Sequence, residues 1–234
     1  MSDNKIKKQN LSTDVNNFLT KLSLVKSSNT LVLGRLIFSL DATSSRSSTW
    51  DLATHIQSRM FIEAERVGNL DVQLVYYRGF DQCRFSKWTS NSEKLKDLMN
   101  AVSVRAGRTQ ISKILKHTLN ENKRKRINAL IFVGDSLEEE LDELSYLSGQ
   151  LGVYGVPIFI FHEGCDEQVS NSFKYLAKLS KGAYFPFDNS SPNKLKDLLG
   201  AIGVYATGGL DALIDNEIAL GSNVKNLIKQ LKES

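Results

Sequence analysis

Asp41, Thr43 and Ser45 stand on alternate residues directly after an apolar run, and each presents oxygen. One carboxylate with two hydroxyls at that spacing suits a hard divalent cation, Mg²⁺ or Mn²⁺, which takes oxygen ligands and keeps several waters. Two more oxygen donors belong with them. Thr109 follows Gly107-Arg108 just ahead of an amphipathic segment, and Asp135 closes a second apolar run, Ile127–Val133, through Gly134. None of the five is His or Cys, so soft-ligand metals are not favoured. The stretch Asp41-Ala42-Thr43-Ser44-Ser45 also has plainer uses, since Ser and Thr cap helices and Asp frequents turns. It becomes a site only if the fold brings Thr109 and Asp135 beside it.

The elements needed for that are legible. Residues 31–40 (LVLGRLIFSL), 127–133 and 156–162 (VPIFIFH) read as buried strands, 71–77 (DVQLVYY) as another, with a short paired strand around 84–88 and a last one near 183–187. Between them lie helical patterns. Residues 49–67 align Ala53, Ile56, Met60, Ala64 and Val67, and residues 92–103 align Leu95, Leu98 and Val102. Beyond Thr109, Ile111, Ile114, Leu115 and Leu119 share a face. A helix over 137–151 repeats Leu137, Leu141, Leu144 and Leu151 and opens on Glu138, Glu139 and Glu140, which suit its dipole. Further helices are expected near 167–180 and around Leu195, Leu198, Leu199 and Ile202. The alternation predicts an α/β fold: three layers, a doubly wound, mainly parallel, Rossmann-like sheet flanked by helices. Ligands of such a sheet bind beyond the carboxyl ends of its strands, where Asp41 and Asp135 emerge. Amphipathic stripes at Val15, Phe18, Leu19, Leu22 and at Val224, Leu227, Ile228, Leu231 mark helical tails.

The set Asp41/Thr43/Ser45, Thr109 and Asp135 resembles the metal-ion-dependent adhesion site of von Willebrand factor A domains. There a D-x-S-x-S loop follows the first strand, a Thr comes from a later loop and an Asp follows the fourth strand. The resemblance runs over residues 33–208, and Leu179-Ser180-Lys181-Gly182-Ala183-Tyr184-Phe185 is similar to the last helix-to-strand turn of that family. Thr43 stands where Ser is commoner and keeps the hydroxyl; Ser136 follows Asp135 where the family often has Gly. The resemblance implies a domain over 31–208, an N-terminal tail over 1–30 and a C-terminal one over 209–234. It further implies that Thr43, Ser45 and Thr109 ligate a cation, that Asp41 and Asp135 supply charge, and that a partner protein offers an Asp or Glu to the metal. No residue then serves as a nucleophile, and the chain is not expected to be an enzyme.

Composition agrees with one such domain: 234 residues, 41% hydrophobic, 24% charged. No apolar run is expected to approach the ~20 residues that span a bilayer, and the start lacks a secretory pattern. Cys83 and Cys165, far apart, frame neither a disulfide scaffold nor a zinc site, which points to a reducing, cytoplasmic setting. A net charge of +4, and a basic run at 123–126 with no interleaved aromatics, argue against nucleic acid. Arg46 and Arg108 flank the ligand residues and could steer an acidic partner or pair with nearby carboxylates. His162 ends a strand, where a hydrogen-bonded structural role is the expectation, while His55 and His117 lack ligand partners. A haloacid dehalogenase-type Mg²⁺ phosphatase is the rival, with Asp41 as nucleophile and Gly134-Asp135 as metal corner, but Thr43 replaces the Asp that would be its general acid. A nucleotide-binding Rossmann loop would need glycines that the Asp41 loop lacks.

Overall fold

The computed structural model describes residues 34–47, 70–187, 192–217 and 224–233, all within the compact unit Leu33–Ser234. The helix expected over 49–67 and the N-terminal stripe lie outside the described residues.

Among those residues the strands are β1 (Gly34–Asp41), β2 (Leu70–Arg78), β3 (Gln82–Phe85), β4 (Ala129–Gly134), β5 (Ile158–Glu163) and β6 (Ala183–Phe187). They form one sheet in the order β3-β2-β1-β4-β5-β6, parallel except for the β2–β3 hairpin. The chain winds outward from β1 to β2 and then returns to β4 on the other side of β1. The crevice between β1 and β4 is therefore the switch point of the sheet.

Every residue of β1, β4 and β5 is buried, because helices cover both faces. Alternation along each strand sorts the side chains into two cores. Leu36, Phe38 and Leu40, with Ile131, Val133, Phe159 and Phe161, face α1 (Ser92–Asn100), α5 (Pro192–Asp215) and α6 (Val224–Lys232). Ile37, with Leu130, Phe132, Ile158 and Ile160, faces α2 (Ile111–Arg124), α3 (Leu141–Val153) and α4 (Glu167–Leu179). The three-layer α/β architecture is as the alternation predicts.

Four details differ from the sequence reading. In α1 the inward face is Leu95 and Met99, while Leu98 is partly exposed, because the helix ends at Asn100 and Val102 packs from the following loop. Strand β3 pairs two residues earlier than expected, and Thr89 then returns to bridge Val72. Helix α3 starts at Leu141, so Glu138, Glu139 and Glu140 precede it rather than fill its first turn. Finally, α5 is a 24-residue helix and, by length and composition, the one described helix apolar enough to cross a membrane. That corrects the expectation that no run approaches this length. Leu198, Leu199, Ala201, Ile202 and Ala206 bury into the first core, and non-helical Gly209 (φ 72°) interrupts the helix. Beyond it, Val224, Leu227 and Ile228 of α6 are buried in the same core.

Candidate functional site

Strand register puts the two carboxylates together. Leu40 pairs with Val133 across β1–β4, so the next residues along, Asp41 and Gly134, leave the sheet side by side. A Cβ on Gly134 would lie 2.6 Å from Phe132 Cζ and 3.3 Å from Asp41 Cβ. A side chain at 134 would run into the Phe132 ring and crowd Asp41, and Asp135 follows immediately.

Asp41 is fully buried, and both its oxygens are engaged. The Thr43 backbone N–H donates to Oδ1 at 2.8 Å, closing a tight turn, and the Tyr77 hydroxyl donates to Oδ2 at 2.9 Å. Tyr77 reaches it because β2 pairs it directly with Asp41. Burial raises the Asp41 pKa above the usual carboxylate value, and the charge of Asp135 adds to the rise, while the hydrogen bonds from Thr43 and Tyr77 oppose it. Burial and the Asp41 charge likewise hold the Tyr77 phenol well above its normal range, so it stays a donor.

After Asp41 the chain is extended at Thr43 and enters a short 3₁₀ turn, Ser44–Arg46. The turn brings Thr43 Oγ1 and Ser45 Oγ to 3.0 Å, two hydroxyls converging at the sheet edge. Arg46 does not reach outward. It is buried, donating from Nη1 to the Asp41 carbonyl at 2.6 Å and from Nε to Glu163 at 2.7 Å. Of the two roles left open for Arg46, carboxylate pairing is the one seen.

Thr109 arrives on the loop that joins α1 to α2. That loop is tied to the Asp41 loop by Arg105 N–H donating to the Ala42 carbonyl at 3.0 Å. It is tied to the β4 loop by a reciprocal pair: Thr109 N–H donates to Glu138 Oε2, and Glu138 N–H donates to Thr109 Oγ1, both at 3.0 Å. Next to it, the Glu139 carboxylate accepts from Ile111 N–H (2.6 Å) and Ser112 N–H (2.8 Å), capping α2. The acidic run after Asp135 thus serves the helix that follows Thr109, not the one it precedes in sequence. Tyr77, Glu138 and Glu139 escaped the sequence reading because each acts across strands or loops. The one available signal, three consecutive glutamates, pointed to the wrong helix.

The five residues sit at one edge, and one atom there is conspicuous. Asp135 Oδ1 is buried with no hydrogen-bond partner, a costly arrangement for a carboxylate oxygen. The donor set is oxygen only, with two neighbouring negative charges, and it fits a hard dication. Among the described residues no group of three or more His, Cys, Asp or Glu could hold a metal, so a cation here has to draw on the hydroxyls.

The remaining candidates have structural partners. His162 is buried, with Nδ1 3.0 Å from the Tyr184 hydroxyl and 3.2 Å from that of Ser170; burial lowers its pKa, leaving the ring neutral near pH 7. His117 meets Gln73 at 2.8 Å and stacks on Phe85. Burial lifts the Cys83 thiol to about 11, so it is unreactive, and Cys165 is exposed.

No family model and no curated protein matches the chain. Solved structures do. The SpRpn10 VWA domain superposes with a TM-score of 0.56 at 13% identity, over 70% of this chain and 95% of that one. A von Willebrand factor type A protein from Catenulispora acidiphila gives 0.60 at 11% identity, over 75% of this chain and 43% of that one. Proximal thread matrix protein 1 from the mussel byssus, in a form described as having a zinc-occupied MIDAS motif, gives 0.55 at 16% identity, over 72% of this chain and 45% of that one. This chain therefore spans less than half of the latter two. At these identities the likeness is one of fold alone: this chain has a fold like that of von Willebrand factor A domains.

Proposed function

We propose that this domain is a divalent-cation-dependent protein-binding module, not an enzyme, that recognises an acidic residue of its partner and works in the cytoplasm. The observation that carries the proposal is the unpartnered, buried Asp135 Oδ1 beside the buried Asp41 carboxylate at the switch point of the sheet. Two adjacent carboxylates in a poorly solvated edge repel each other, and a dication relieves that repulsion. Thr43, Ser45 and Thr109 offer hydroxyl oxygens, while Asp41 orients the loop through Thr43 N–H and Asp135 contributes its unpartnered carboxylate oxygen. Mg²⁺ or Mn²⁺, when bound, supplies an open coordination position for a carboxylate of the partner. The zinc-occupied site of the mussel protein supports cation binding on this fold.

The phosphatase reading loses support at Asp41. A nucleophilic carboxylate has to present an oxygen to substrate, and here both oxygens accept hydrogen bonds and the residue is fully buried. The test is calorimetry with Mg²⁺ and Mn²⁺ on the wild type and on Asp41→Ala, together with a pulldown with and without EDTA. Binding lost in the variant and partners lost in EDTA support the proposal. Unchanged affinity in Asp41→Ala removes the site, and Mg²⁺-dependent turnover of a general phosphatase substrate, abolished in Asp41→Asn, replaces the function.

A further inference from the structure

One aromatic residue stands out at the rim of the metal edge. Phe80, at the tip of the β2–β3 hairpin, is 71% exposed. A lone exposed Phe is ordinarily unremarkable. This one is held in a defined place, with the Arg108 guanidinium 6.0 Å from its ring.

That place is set by the backbone. Gly79 adopts φ 62°, and its carbonyl accepts from Arg108 N–H at 3.1 Å and from Gln110 Nε2 at 3.1 Å. Gly107 packs flat against it, since a Cβ there would lie 2.0 Å from the Gly79 oxygen. The hairpin tip is thus locked to the loop that carries Thr109. Position follows from register: Tyr77 pairs with Asp41, and Phe80 is three residues on. One strand spacing plus that length of chain puts Phe80 within ~15 Å of Asp41, the span of four to five extended residues.

Charge completes the surface. Arg105 is exposed beside Thr43, with which its backbone forms a β-bridge, and its Cδ lies 3.9 Å from where a Gly79 Cβ would be. Arg108, also exposed, holds its guanidinium 6.0 Å from the Phe80 ring. Neither forms an ion pair among the described residues, whereas Arg46 on the other side of Thr43 is committed to Glu163. Resting on the metal-site reading above, we infer that Phe80, Arg105 and Arg108 form a second contact of the same site. Its occupant is an acidic peptide segment that carries a bulky apolar residue three to five positions from the metal-bound Asp or Glu. The apolar side chain covers Phe80, and a further acidic residue meets the two arginines.

The test uses the full chain against two displayed 12-residue peptide libraries, one with a fixed central Asp and one with Asn, selected in Mg²⁺. Expected is enrichment from the Asp library alone, with aromatic or large aliphatic residues three to five positions from the Asp and a second acidic residue. For a selected peptide, Phe80→Ser and Arg108→Glu should each lower affinity about tenfold, with Mn²⁺ affinity by calorimetry unchanged. Asp-dependent, Mg²⁺-dependent binding that ignores both substitutions overturns the rim contact and leaves the metal site standing. Equal selection from the two libraries, insensitive to EDTA, overturns the metal reading and the rim contact with it. A concentration-dependent dimer abolished by Phe80→Ser makes this face a self-interface and overturns the peptide assignment.

Discussion

Asp41 carries a cost that only its surroundings explain. Burial, with the neighbouring Asp135 charge, raises its pKa in the folded protein, so the folded state holds this proton to higher pH than the unfolded chain does. Stability is therefore lost as pH rises from the unfolded pKa through the folded one. Asn at this position keeps an acceptor for Thr43 N–H and never ionises. In EDTA at pH 7, Asp41→Asn is expected to melt above the wild type, and the difference should shrink as the pH is lowered into the carboxylate range. In Mg²⁺ the order should reverse, because only the wild type gains from the cation. Thermal melts at two pH values with and without metal measure this. A variant that melts lower in EDTA would show that Asp41 is a net stabiliser of the bare fold.

Among the elements, the α1–α2 loop and α6 matter most. The loop has little core of its own and is placed by Arg105 on the Asp41 loop, Gly107 on Gly79, and Thr109 on Glu138. Gly107→Ala puts a carbon 2.0 Å from a backbone oxygen, so the loop has to move away. The expected result is cation binding weakened severalfold, with amide exchange quickened over residues 101–110 and unchanged in β4. Helix α6 attaches differently. Its Leu227 is fully buried, and Gln230 pairs through its side-chain amide with both backbone groups of Tyr184 on the edge strand β6, at 2.9 and 3.1 Å. Leu227→Ala is expected to cost about 2–5 kcal/mol in urea unfolding. A cost below ~0.5 kcal/mol would mean that α6 is not integral to the core.

At the scale of the whole molecule, binding and folding are linked. A cation that binds the folded edge and not the unfolded chain adds RT ln(1 + [L]/Kd), about 2.7 kcal/mol at a hundredfold excess over Kd. For a domain of this size that corresponds to a rise of roughly 5–10 °C. Differential scanning calorimetry in Mg²⁺, then after EDTA, checks it. The gain should fall in mild acid, because protons compete with the cation for the two carboxylates.

Hydrophobic patterning by itself determined the α/β class, most strands and most helices. Runs such as Leu-Ile-Phe-Val, alternating with segments of helical period, fit a parallel sheet covered by helices on both faces. The oxygen donors at Asp41, Thr43, Ser45, Thr109 and Asp135 were likewise visible as residue types after strands. Tertiary structure decided everything that depends on which strand lies beside which. Register joined Tyr77 to Asp41 and set Gly134 against it, turning a carboxylate after a strand into a buried, doubly hydrogen-bonded one. The acidic run at 138–140 sits ahead of α3 in sequence but caps α2 and holds Thr109, because β4 ends beside the start of α2. Arg46, left open by the sequence between steering an acidic partner and pairing with a carboxylate, is a buried partner of Glu163 from a strand 117 residues away. Local sequence sets which side chains can form a site, and only the crossing of the chain between β1 and β4 sets what each of them meets.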